Sequence, residues 1–133
     1  MIVLDTHVLI WLDEGSSRLG KKALQAIDAA FQQDTLFVSV ISFWEVAMLV
    51  EKGRLEMSVS VDQWRKSLLA NGLREIALNG DMAVQSAGLE GFHGDPADRM
   101  IVATALYKNA TLCTADGGIL HWKPYSQWLD ASQ

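Results

Sequence analysis

The strongest constraint on the fold is an alternation: short, continuously apolar runs are separated by helix-length periodic segments along the chain. Ile2 to Leu4, Leu36 to Val40, Leu73 to Leu78 and Thr111 to Cys113 read as four strands buried on both faces of a sheet. Between them Leu19, Ala23, Ile27 and Phe31 recur every four residues, and Val61, Trp64 and Leu68 follow a second helical stripe. Val46 to Val50, Met82 to Leu89 and Met100 to Leu106 are apolar enough to be helices packed on that sheet. Strand and helix in alternation call for crossover connections and a mostly parallel sheet, so the class is α/β.

The 133 residues contain no repeat, low-complexity tract or linker, and one domain spanning residues 1–133 is expected. Cys113 is the only cysteine, so no intramolecular disulfide is available and a reducing, cytoplasmic setting is expected. Met1 to Trp11 has no basic leader and is interrupted by Asp5, which argues against an export signal. The longest apolar stretch, Leu36 to Val50, is shorter than the ~20 residues of a membrane helix and contains Glu45, so no membrane span is expected. Eleven Lys and Arg against sixteen Asp and Glu give a net charge of −5, which excludes a broad basic surface. A polyanionic ligand would therefore need a metal or local basic patches such as Lys52 and Arg54, or Arg65 and Lys66.

Four carboxylates fall at element ends. Asp5 closes the first apolar run and Asp116 follows the last, and in parallel α/β sheets ligands bind beyond the carboxyl ends of strands. Glu45, in Ser42-Phe43-Trp44-Glu45, and Asp98, in Asp95-Pro96-Ala97-Asp98, read as first-turn residues of helices beginning at the same crevice. Capping offers another explanation for these two segments, because Ser42-x-x-Glu45 fits a capping box and Asp95-Pro96 fits an N-cap followed by proline. Capping explains neither Asp5 nor Asp116, which follow strands. Carboxylates after apolar strands need a partner, and converging carboxylates call for a divalent cation. An all-oxygen ligand set points to Mg²⁺ or Mn²⁺, one or two ions, and such a site suits phosphodiester hydrolysis.

These residues stand in recognisable blocks: Val3-Leu4-Asp5-Thr6-His7, Ser42-Phe43-Trp44-Glu45-Val46-Ala47, Gly94-Asp95-Pro96-Ala97-Asp98-Arg99-Met100, and Thr114-Ala115-Asp116. In this order they resemble the PIN-domain ribonucleases, and most closely the VapC-type toxins of bacterial toxin-antitoxin systems. The resemblance implies a three-layer α/β/α fold with a mostly parallel sheet of four or five strands. It makes Asp5, Glu45, Asp98 and Asp116 the acidic metal-site residues, and Thr6 and Thr114 polar neighbours that position water or phosphate. Asp95 is expected as a cap or supporting residue, and Arg99 as a brace for an acid. A homodimer, a cognate antitoxin and an RNA substrate are likewise implied by the resemblance alone.

His7, His93 and His121 lack ligand spacing with Cys113, so zinc is not expected. His93, two residues before Asp95, is a candidate contact for a scissile phosphate, while Trp44 and Trp64 are expected in packing or an interface. Two rivals share the class. A phosphoacceptor receiver domain needs adjacent acids after its first strand, where this chain has Thr6 and His7. A dehalogenase-type phosphatase needs a second aspartate two residues on, at His7. A non-catalytic module on the same fold is a third alternative.

Overall fold

A computed structural model describes residues 1–133. In chain order the elements are β1 (Ile2–Leu4), α1 (Thr6–Glu14), α2 (Lys21–Gln32), β2 (Leu36–Ser39), α3 (Val40–Glu51), α4 (Val61–Ala70), β3 (Arg74–Ile76), α5 (Gly80–Ala87), α6 (Pro96–Lys108), β4 (Thr111–Thr114), α7 (Gly117–Leu120) and β5 (Trp128–Asp130). The five strands form one sheet in the order β3-β2-β1-β4-β5, every neighbouring pair parallel. The expected α/β class and parallel sheet are both present.

Alternation along each strand divides the core. Leu4, Val38 and Cys113 pack on one face against Val8, Ile27, Val46 and Trp64 from α1 to α4. Val3 and Leu112 pack on the other against Met82 of α5, Val102 of α6 and Ile119 of α7. Each side chain of this kind contributes about 1.5–3 kcal/mol when fully buried. Three layers follow from a sheet that is apolar on both faces. No helix is long and apolar enough to cross a membrane.

The strand order places the site. From β1 the chain builds outward through β2 to β3 on one side, then returns through α5 and α6 to add β4 and β5 on the other. The sheet therefore reverses its direction of growth between β1 and β4, and a crevice opens beyond their carboxyl ends. Asp5 follows β1 and Asp116 lies just beyond β4.

The structure adds three elements to those expected, the helices α1 and α7 and the strand β5, and moves a boundary. Helix α1 begins directly after β1, and β5 supplies a fifth strand at the sheet edge. Strand β2 ends at Ser39, whose hydroxyl accepts from Ile41 N and caps α3, so Val40 opens the helix.

Candidate active site

Asp5 is 2% exposed and holds two bonds that fix its carboxylate. Oδ1 accepts from Thr6 N at 2.8 Å, capping α1, and Oδ2 accepts from Thr114 Oγ1 at 2.7 Å. Thr114 Oγ1 in turn accepts from Asp116 N at 3.0 Å, so one hydroxyl ties the end of β1 to the turn after β4. Asp116 caps α7, its Oδ1 accepting from Gly118 N at 2.8 Å. Asp5 and Asp116 thus both act as caps, contrary to the sequence expectation. A sequence reading that places no helix at Thr6 or Gly117 sees nothing there to cap.

Glu45 arrives differently from expectation. With α3 starting at Val40 it sits beyond the first turn, and the capping-box reading of Ser42 and Glu45 fails because Ser39 takes the cap. The Thr6 hydroxyl instead donates to Glu45 Oε1 and lies 2.9 Å from Ser42 Oγ. Glu45 is thereby drawn toward Asp5 by a side chain from α1. Asp95 caps α6 with Pro96 following, its Oδ1 accepting from Asp98 N at 3.0 Å, as the Asp-Pro pair indicates.

Two groups of ligand atoms result, each within 4.8 Å: Asp5, Glu45 and Asp98 form one, and His93, Asp98 and Asp116 form the other. Asp98 belongs to both. The structure therefore gathers all four candidate acids around one side chain, with Thr6, Thr114 and Asp95 bonded to them. Asp5, Thr6, Glu45 and Asp98 line a shallow cleft of about 140 Å³ with Ile10 at its rim.

The charges are in conflict. Burial, followed by the nearby carboxylates of Asp5, Asp95, Glu45 and Asp116, pushes Asp98 up to about 8. Burial also raises Asp5 and Glu45 above the ordinary carboxylate range, despite the hydrogen bonds from Thr114, Thr6 N and the Thr6 hydroxyl that favour their charged forms. Three oxygen ligands held this close, with no Lys or Arg ion-paired to them, suit a hard divalent cation and not zinc. The donor set fits Mg²⁺ or Mn²⁺.

Arg99 does not brace an acid. Its guanidinium donates to the backbone carbonyls of His93 at 2.8 Å, Phe92 at 2.8 Å and Ser86 at 3.1 Å, clamping the loop before α6. His93 is brought into the site, its Nε2 3.4 Å from Asp98 Oδ2 and 3.6 Å from Asp116 Oδ2. His7 sits beside Asp5, with Nδ1 3.8 Å from Oδ2 and Nε2 accepting from Ala115 N at 2.9 Å. His7 and Ser42 were not marked as site residues by sequence; only their proximity to Asp5 and Glu45 hinted at them. Trp64 is buried and donates to Asp13 Oδ2, whereas Trp44 is 54% exposed.

An acidic cleft at the β1/β4 switch point of a parallel 3-2-1-4-5 sheet defines a class, and residues 2–121 match the PIN domain model. The chain belongs to the PIN-domain family. It is 35% identical over 131 residues to Ribonuclease VapC22 of Mycobacterium tuberculosis, an alignment covering 96% of this chain and 98% of that protein. The same fold occurs in a toxin-antitoxin complex from Klebsiella pneumoniae, with TM-score 0.69, 22% identity and 98% of each chain covered. It recurs in VapBC2 from Rickettsia felis bound to a DNA fragment from its promoter, with TM-score 0.71, 17% identity, and 97% of this chain and 98% of that one covered.

Proposed function

We propose that this chain is a Mg²⁺- or Mn²⁺-dependent endoribonuclease, the VapC-type toxin of a toxin-antitoxin pair, acting in the cytoplasm as one domain over residues 1–133. The observation that carries the reading is that Asp98 belongs to both groups of possible ligand atoms, each gathered within 4.8 Å. Asp5, Glu45, Asp98 and Asp116 are the residues that would hold one or two ions. Bound there, a divalent ion supplies charge for the phosphate and acidifies a water.

The protein's own part is to position charge. Thr6 holds one oxygen of Glu45 through its hydroxyl and one of Asp5 through its backbone N–H, and Thr114 holds the other oxygen of Asp5. Asp95 fixes the first turn of α6 and with it the backbone of Asp98. The start of α6 adds partial positive charge beside the acids.

A second cleft of about 260 Å³ opens from Glu45, between Trp44, Lys52 and Arg54 on one wall and Asp95 to Ala97 on the other. On an acidic chain, two cations and an exposed indole next to the acid site suit a single-stranded RNA, with phosphates near the cations and a base against the ring. The relation to Ribonuclease VapC22 supports RNA as the substrate class. A homodimer and an antitoxin that covers the site complete the proposal. The receiver alternative is disfavoured because the position of its second acid is Thr6, whose hydroxyl is already committed to Glu45.

Brief expression followed by mapping of new RNA 5′ ends tests the activity. Discrete cuts, absent with Asp98→Asn and suppressed by co-expression of an adjacent small reading frame, are expected. No new ends in the wild type, or the same ends with Asp98→Asn, would contradict it.

A further inference from the structure

We infer that His93 is a positioning residue of the acid site, whose Nε2–H sets the Asp98 and Asp116 carboxylates for a divalent ion without itself ligating it. The inference rests on the metal-dependent reading above and adds a residue to it. Its basis is the way the ring is held. Asp95 N donates to His93 Nδ1 at 3.3 Å, which occupies that lone pair and leaves the ring proton on Nε2. Nε2–H then faces Asp98 Oδ2 at 3.4 Å and Asp116 Oδ2 at 3.6 Å, electrostatic contacts longer than an ordinary hydrogen bond that a bound ion would draw closer. A ligating histidine would need a lone pair at that position.

The ring is held from its Phe92 and Arg99 side while its other side faces solvent. Phe92 stacks on it with centroids 4.3 Å apart, and Arg99 holds its backbone carbonyl at 2.8 Å. A Cβ at Gly118 would lie 3.0 Å from His93 Cδ2 and 3.2 Å from Asp116 Oδ1, so bare backbone at that point makes room for both. Asp116 has its oxygens divided, Oδ1 to Gly118 N and Oδ2 toward His93. Asp95 links the two halves, bonding His93 through its amide and Asp98 N through Oδ1. Donors that orient metal ligands in this way typically change affinity 10–100-fold when removed.

The test is Mn²⁺ binding to the purified protein, followed by electron paramagnetic resonance, for wild type, His93→Gln, His93→Asn and His93→Ala. Glutamine can place an amide donor near the Nε2 position, whereas asparagine reaches only the Nδ1 position. We expect His93→Ala and His93→Asn to weaken Mn²⁺ about tenfold or more, and His93→Gln to stay within about threefold of wild type. Melts in EDTA should show all four folded. Wild-type affinity in His93→Ala, or equal loss in the Gln and Asn variants, would overturn the inference. An imidazole nitrogen coupling to bound Mn²⁺ that disappears in His93→Ala would overturn it too, since the ring would then be a ligand. Asp98→Asn is the separate control: if it binds Mn²⁺ like wild type, the metal site itself is wrong, whereas loss there with no effect at His93 sinks only this inference.

Discussion

Asp98→Asn should stabilise the metal-free protein at neutral pH, by an amount the site's electrostatics set. The folded carboxyl is pushed up to about 8 from an ordinary value of 3.8, so ionising it favours the unfolded chain. Its contribution to stability is fully present below the unfolded value near pH 4 and is lost as pH rises through about 8. At about 1.4 kcal/mol per unit, the roughly three units between 3.8 and pH 7 cost at most about 4 kcal/mol. Water entry and side-chain relaxation screen part of that, leaving an expected gap of about 2–4 kcal/mol. The amide matches the neutral acid in shape, so the gap should close near pH 4. At this chain length it corresponds to roughly 10 °C in melting temperature at pH 7. Thermal and urea melts in EDTA between pH 4 and 8.5 measure it directly. Adding millimolar Mg²⁺ should raise the wild type by linkage and Asp98→Asn much less. A mutant no more stable than wild type at pH 7 in EDTA, with the same slope against pH, would refute the reasoning.

Other sites give independent checks. Arg99→Lys replaces a fork that spans three carbonyls with a point charge, and urea melts should show a loss of about 1–3 kcal/mol. Cys113 is fully buried in β4 and burial pushes its thiol up to about 12, so a disulfide reagent should label it only at the rate of unfolding; fast labelling of the native protein would contradict that burial. Trp44→Ala should leave stability within about 0.5 kcal/mol, because the ring is largely exposed. If RNA stacks there, filter binding to the Asp98→Asn protein should show affinity falling by about 1–3 kcal/mol.

The parts of this molecule legible in its sequence are those whose environment is local. Ile2 to Leu4 and Thr111 to Cys113 stand out because the inner strands of a parallel sheet are apolar on both faces. Trp128 to Asp130 does not, being a three-residue edge strand of intermediate burial with a charge at its end. Helix α1 is hidden because Asp5, directly after β1, is already its cap, with no turn residues between. The start of α3 was misplaced by a rival signal, since Ser42-x-x-Glu45 matches a capping pattern that Ser39 lacks. The four acids were legible from their positions relative to strand ends and from the family blocks. Their supporting bonds were not, because Thr6 to Glu45 and Thr114 to Asp5 join residues 39 and 109 positions apart. His93 sits in a loop, and only its nearness to Asp95 hinted at a role that depends on α7 and β4 folding against it.

The central claim is that this acid cleft cuts RNA through a divalent ion held by its carboxylates. The most direct test is a cleavage assay with purified protein and a single-stranded RNA that it cuts, titrating Mg²⁺ or Mn²⁺ into metal-stripped wild type and Asp98→Asn. The account predicts cleavage that appears with either ion, vanishes in excess EDTA, returns when the ion is restored, and falls by about two orders of magnitude or more in the mutant. Undiminished cleavage by the wild type in excess EDTA, or metal-dependent cleavage by Asp98→Asn at the wild-type rate, would contradict it.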